Sequence, residues 1–247
     1  MPISPNLSEK LRLNSGQRAD IEVMKSILYG LRGAPVALKG GTALMLFYGL
    51  DRFSEDLDFD TFKSFDMKPV LQKYKNPYIN EITVKKHTPT VQRYRVSWIV
   101  GDQEGNVTLE ISFRQSPKKN DVQETTLGVP VLTPFALLKQ KFDALKSRTT
   151  ARDLFDIAYL AVAHPDEFSI QDKQKLCQIY DNFNDTYARF EFAFREDTKI
   201  NDRFLETLVR IEQAVKMFRD KEKSPAELFL EESVKKYDQR KDPNLEQ

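Results

Sequence analysis

The sequence predicts an α/β (α+β) protein, with a mixed sheet lobe over residues 1–133 followed by an α-helical lobe over 134–247. Three observations carry that expectation. The apolar triplet Val36-Ala37-Leu38 runs into a glycine turn and then an apolar helix. Residues 54–60, SEDLDFD, alternate acidic and apolar side chains in period two, the mark of a strand with one buried face. From Pro134 onward the apolar spacing lengthens to the helical period.

Size and composition agree with this organisation. The chain has 247 residues, enough for one large domain or two small ones, and 40% hydrophobic content with 17 Phe and 9 Tyr supports a packed core. Lys and Arg total 38 against 37 Asp and Glu, so no global charge excess draws the chain to nucleic acid, and any such site must be local. The single Cys177 excludes an intramolecular disulfide and fits a reducing compartment. The opening MPISPNLSEKLRLNSG lacks the apolar stretch of a signal peptide, and no apolar run reaches bilayer length. Both predict a cytoplasmic protein without a membrane partner.

In chain order, Ile21, Met24, Ile27, Leu28 and Leu31 recur at helical spacing over residues 18–31, with Gly33 as a stop. Val36 to Leu38 follow as a short strand. Gly40-Gly41-Thr42 then turns the chain into a helix from Ala43 to Tyr48, closed by Gly49. The strand 54–60 places Asp56, Asp58 and Asp60 on one face and Leu57 and Phe59 on the other. Further strands are expected at 79–87, 91–100 and 106–114, the last with Thr108, Glu110 and Ser112 on its polar face. Phe135, Leu138, Phe142 and Leu145 mark one helix, and Leu154, Ile157, Ala158 and Ala161 the next. Ser224-Pro225-Ala226-Glu227 carries the cap, proline and acid of a later helix start.

The chemistry-bearing residues concentrate between Gly40 and Glu110. Gly40 and Gly41 let the backbone approach a phosphate closely, the amides of the helix start donate to it, and the Thr42 hydroxyl adds a donor. Mg²⁺ is held by one or two carboxylates plus phosphate oxygens, and Asp56 and Asp58 supply such a pair; Mn²⁺ would serve as a substitute. Glu110, the sole acid on the polar face of its strand, is the candidate third carboxylate, placed to activate an attacking hydroxyl while metal ions stabilise departing pyrophosphate. The expected reaction is nucleotidyl transfer from a nucleoside triphosphate. Asp60 shares the face of Asp58 and reads as a structural or solvent-facing strand-end residue.

The Gly-Gly-Thr turn, the helix and Arg52-x-Ser54-x-Asp56-Leu57-Asp58-Phe59 together resemble the AbiEii/AbiGii abortive-infection toxins, a branch of the polymerase-β-like nucleotidyltransferase superfamily. The stretch KFDALKSRTTARDLFD is similar to that family's second signature. The resemblance covers roughly residues 36–160. It implies a nucleotidyltransferase-fold sheet lobe, a triphosphate-using toxin with a separate cognate antitoxin, and an RNA acceptor, in some relatives the 3′ end of tRNA. It also implies that Ser54 joins Gly40, Gly41 and Thr42 around the nucleotide, and that Lys141, Arg148 and Asp153 enter the site from the helical lobe, Lys141 and Asp153 as catalytic groups. The chain departs from the pattern in carrying Glu110 where many relatives show Asp, and its C-terminal helices bear no signature.

Lys141 and Arg148 are two helical turns apart and are expected to share a face. Arg152 and Asp156, one turn apart, can form a helix-surface ion pair. That favours Asp153 over Asp156 for the site and leaves both open. Arg114, Lys118 and Lys119 in the loop RQSPKKN form a local positive patch beside Glu110's strand and are the expected RNA contacts, with Lys85, Lys86, Arg93 and Arg95 as the alternative. A solvated hairpin tip explains the loop equally well. Two other functions fit the same residues: a catalytically silent nucleotide- or RNA-binding module, and a transferase acting on a small molecule. Clustered unpaired carboxylates argue against the first and the basic clusters against the second.

Overall fold

The alternating segment is the strand Asp56–Thr61, which lies inside a seven-stranded sheet in the computed structural model, where residues 1–5, 7–73 and 76–222 are described. In chain order the elements are α1 (Leu7–Lys10), α2 (Ser15–Gly30), β1 (Val36–Lys39), α3 (Gly40–Tyr48), β2 (Asp56–Thr61), α4 (Lys68–Lys73), β3 (Ile79–His87), β4 (Val91–Val100) and β5 (Gln103–Ser112). They continue with β6 (Val122–Gln123), β7 (Val131–Leu132), α5 (Pro134–Ser147), α6 (Ala151–Ala163), α7 (Ile170–Asp181), α8 (Phe183–Glu196) and α9 (Phe204–Glu222). The sheet order is β3-β4-β5-β2-β1-β7-β6.

The pairing is mixed. β2 runs antiparallel to β1 and parallel to β5, and β3, β4 and β5 form an antiparallel meander. Because paired residues project to the same side, the register sorts the sheet into two faces. On one lie Leu38, Phe59 and Ile111 in one row and Leu57, Leu109 and Tyr94 in another, all buried. α2 packs over this face against β5, and α3 packs against β1 and β2. α2 earns its start from Asn14, whose side chain accepts from the Gln17 amide while Gln17 accepts from the Asn14 amide. α3 is apolar around nearly its whole circumference, as a helix enclosed on all sides must be, and Gly49 ends it in the left-handed conformation at φ 72°. Each fully buried Leu or Phe here contributes roughly 1.5–3 kcal/mol.

The helical period begins where the sequence changes. Thr133 caps α5 by accepting from the Ala136 amide, with Pro134 at the first helical position. Buried residues of α6 and α9 join those of the sheet in one hydrophobic cluster running from Leu7 to Phe218. No helix among the described residues is long and apolar enough to cross a membrane. The helix start anticipated at Ser224 lies outside the described residues.

Several expectations change. α1, α4, β6 and β7 have no counterpart in the sequence reading. β5 begins at Gln103 and ends at Ser112 rather than spanning 106–114. Arg152 does not pair with Asp156: its Nε donates to Asp197 at 2.7 Å, while Asp156 is fully buried against Arg52 and Lys141. Of the two roles expected for Asp60, the structural one holds: it is buried, with Lys39 Nζ at 2.6 Å and Gln140 Nε2 at 2.7 Å.

Candidate active site

The face of the sheet opposite α2 and α3 carries the acids. The register places Lys39, Asp58, Glu110 and Arg93 in one row across β1, β2, β5 and β4, with Asp56, Thr108 and Arg95 in the next row. Adjacent strands lie about 4.8 Å apart, so Asp58 and Glu110 are cross-strand neighbours although separated by two intervening strands of sequence. The cations of this row are partly committed elsewhere. Lys39 turns to Asp60, and Arg93 binds Glu110 through both Nε, at 2.8 Å, and Nη2. Among the described residues, neither Asp56 nor Asp58 has an ion-pair partner within 4 Å.

This isolation shows in their titration. Burial first, then the charge of Asp56, raises the Asp58 carboxyl to about 6, against the opposing pull of Lys39. Asp56 is also raised, by burial and then Glu55, while a hydrogen bond from Thr108 and the charges of Arg152 and Lys199 hold it down. Lys199 is itself paired with Glu55.

The glycine turn abuts this pair. Gly40 has φ 74°, and a Cβ there would lie 2.8 Å from Asp58 Oδ2, so the position requires both left-handed backbone and the absence of a side chain. Lys39, the N-cap of α3, makes no side-chain cap bond, and the first-turn amides keep their donors free of side-chain caps. A Cβ at Gly41 would meet Arg52 Nη2 at 2.7 Å and Ser54 Oγ at 2.8 Å, so this glycine seats the Arg52 guanidinium. Thr42 is buried; its hydroxyl donates to the Asp56 carbonyl and lies 3.0 Å from Ser54 Oγ. The Thr42 and Ser54 side chains thus strap α3 to the start of β2, and a donor role toward phosphate would require breaking that strap.

α6 contributes a second acidic pair. Lys141 Nζ donates to Asp153 Oδ1 at 2.9 Å and reaches Asp156 Oδ2 at 2.6 Å, and Arg148 Nε donates to Asp153 Oδ2 at 2.8 Å. Arg52 clasps Asp156 with Nε and Nη2, each at 2.7 Å. Burial pushes Asp153 up, but Lys141, Arg148 and Thr150 outweigh it and hold the carboxyl at about 2. Asp156 is likewise lowered, burial being overcome by Arg52 and Lys141. Lys141 and Arg148 do converge, although Arg148 is the residue just past α5 and not part of the helix.

A cleft of about 350 Å³ beside Asp60 is lined by Lys39, Arg114, Gln140 and Arg148. A second of about 500 Å³ is lined by Thr150, Arg152, Arg189, Phe192 and Asp197. Of the loop cations, Arg114 faces the first cleft, while Lys118 and Lys119 are exposed in a turn whose Lys118 amide donates to Asp121.

The donor set fits a hard divalent cation completed by substrate. No cluster of three acidic, His or Cys side chains among the described residues forms a ready-made cage. Two neighbouring carboxylates lacking cations, on an open polar face, match an ion that takes its remaining ligands from phosphate and water. Glu110, the next acid in that row, has its Oε2 held by Arg93. Sequence reasoning missed Arg93, Arg152 and Lys199 as charges around the acids; the Arg93–Glu110 contact needs the β4–β5 register, which no local spacing reveals.

Over residues 26–240 the sequence matches the family described as nucleotidyl transferase AbiEii toxin, type IV toxin–antitoxin system. A Helicobacter pylori protein described as a candidate nucleotidyltransferase superposes with a TM-score of 0.73 at 30% identity, covering 86% of this chain and 100% of its own. JHP933 from Helicobacter pylori is similar at 30% identity and TM-score 0.73, over 85% of this chain and 96% of its own. No curated protein matches.

Proposed function

The chain belongs to the AbiEii family of nucleotidyl transferase toxins from type IV toxin–antitoxin systems, and we propose that it uses Asp56 and Asp58, with Mg²⁺, to move a nucleotide from a nucleoside triphosphate to the 3′ end of an RNA, tRNA being the favoured acceptor. The observation that carries this reading is the carboxylate pair left without a cation beside the Gly40 turn. Asp56 and Asp58 would hold the Mg²⁺, which neutralises charge on the triphosphate and the departing pyrophosphate.

The chain's own residues supply binding and orientation. The uncapped first turn of α3 offers amides and the positive end of its dipole to phosphate oxygens. Lys39 and Arg148 line the adjoining cleft and would hold the polyphosphate tail. Glu110, opposite Asp58, is the carboxylate placed to orient the attacking hydroxyl and take its proton. Lys141, Asp153 and Asp156 hold α5 and α6 against Arg52, and so fix the helical wall of the site. A cognate antitoxin would counter the activity, and triphosphates and RNA place the reaction in the cytoplasm.

Purified protein incubated with each labelled triphosphate, Mg²⁺ and total RNA tests this reading. A labelled band of tRNA size is expected. Label appearing only in a small-molecule product, or in none, rules out the RNA acceptor.

A further inference from the structure

The polar face of β3, β4 and β5 continues past the carboxylates with Arg93, Arg95 and Lys86 next to the site and Glu81 and Glu104 farther along it. Arg93 and Arg95 sit two residues apart on β4, on the same side as Glu110 and Asp56, and Lys86 is opposite Arg93 on β3. α2, the helix that packs against β5, lies on the other side of the sheet, where the apolar rows are. Arg93 alone of these cations touches an acid of the site. It binds a single oxygen of Glu110, Oε2, with two N–H groups. Both partners are open to solvent, with side chains 47% and 27% exposed.

We propose that Arg93 is a positioning residue that holds Glu110 away from the Asp56–Asp58 pair until a phosphate of the RNA acceptor takes its guanidinium. The proposal rests on the RNA reading given above. A solvent-exposed arginine–carboxylate pair is weak in net energy, so it exchanges readily for another oxyanion. Phosphate presents the same paired acceptors to guanidinium as carboxylate does, and Arg95 and Lys86 add positive charge for the neighbouring backbone. Once Arg93 has turned to phosphate, Glu110 is an unpaired carboxylate one strand from Asp58, and the cation site gains its third acid. Acceptor and divalent cation then strengthen each other's binding, by the reciprocity that any such linkage obeys. Water meanwhile meets an incomplete site, so the triphosphate is protected from hydrolysis while no acceptor is present.

The experiment reads binding, not turnover. Mn²⁺ binding is measured by electron paramagnetic resonance, without RNA and with a fluorescein-labelled single-stranded RNA, in the wild type, Arg93→Gln and Arg93→Gln/Glu110→Gln; RNA binding is followed by anisotropy across salt concentrations. RNA should tighten Mn²⁺ binding to the wild type by roughly fivefold or more. Arg93→Gln alone should show that tightening without RNA, and the added Glu110→Gln should abolish it. The log–log salt slope for RNA should fall by about 0.7 in Arg93→Gln, one single-strand phosphate contact. Unchanged or weakened Mn²⁺ affinity in Arg93→Gln, with circular dichroism intact, overturns the clamp even if RNA binds. A wild type that binds no RNA overturns the acceptor reading and the release step together, while the RNA-free Mn²⁺ comparison still reports whether Arg93 restrains Glu110.

Discussion

Asp153 and Asp156 lie deeper in the protein than Asp56 and Asp58, yet the deeper pair titrates low and the shallower pair high. Burial alone would give the opposite order. The difference is in the company each keeps. On α6 the two carboxylates are surrounded by Arg52, Lys141 and Arg148, whose charges more than offset desolvation. On β2 the cation in the same row, Lys39, is diverted to Asp60, so burial prevails, reinforced by the charge of Asp56 on Asp58 and of Glu55 on Asp56. A carboxylate pair that is already neutralised holds structure together, and one kept short of cations is prepared to receive them from solution.

Four experiments probe that contrast, beginning with the largest effect. Asp58→Asn should lower nucleotide transfer by at least about a thousand-fold, ~4 kcal/mol, the scale of charge stabilisation a metal ion supplies, while thermal stability holds or rises. Near-wild-type turnover in the folded variant removes Asp58 from the ligand set. Asp156→Ala should instead destabilise the fold by about 3–5 kcal/mol in urea titration, since Arg52 is left buried without a counter-charge and Lys141 keeps only Asp153. Combining it as Asp156→Leu with Arg52→Met should restore much of that loss; a double variant as unstable as the single one would mean packing, not charge, holds α6 in place.

Ligand addition gives a smaller difference. With Mg²⁺ and triphosphate at about ten times their dissociation constant, the wild type should gain ~1.4 kcal/mol, a rise in Tm of about 3–6 °C, and Asp58→Asn should gain little. An equal rise in both proteins places the ligand elsewhere. The fourth comparison is made across pH. Asp58 is raised to about 6 when folded, so its contribution to stability is fully present below the unfolded value of 3.8 and lost as pH climbs through 6. Asp153, held at about 2, contributes stability above 3.8 that is lost as pH falls toward 2. The Tm advantage of Asp58→Asn over wild type should therefore be near zero at pH 4 and reach a few degrees at pH 8, measured by calorimetry. A constant advantage across that range separates the substitution's effect from the carboxylate's charge.

The strand carrying Asp56 and Asp58 was legible because period-two alternation is local, and the turn at Gly40 because glycine marks a backbone that other residues cannot follow. β3 and β4 fall within the expected bounds for the same reason. What escaped is long-range. The parallel pairing of β2 with β5 sets Glu110 beside Asp58, but only the completed register shows that Arg93 already holds it. Arg152 and Asp156 stand one turn apart and look like partners; their true partners, Asp197 and Arg52, come from other elements. Two-residue strands such as β6 and β7 are too short to show any period.

The clasp between Arg52 and Asp156 joins residues 104 positions apart. A ribosome needs about 5–20 s to add that much chain at 5–20 residues per second. During that interval Arg52 has been made and its counter-ion has not, and closing the sheet lobe over it would bury a lone guanidinium. The sheet bearing Asp56 and Asp58 therefore gains its full stability only after α6 has left the exit tunnel. Fragments released early from translation carry both aspartates without the carboxylate that Arg52 requires, so the fold around them is completed late, when most of the polypeptide has been synthesised.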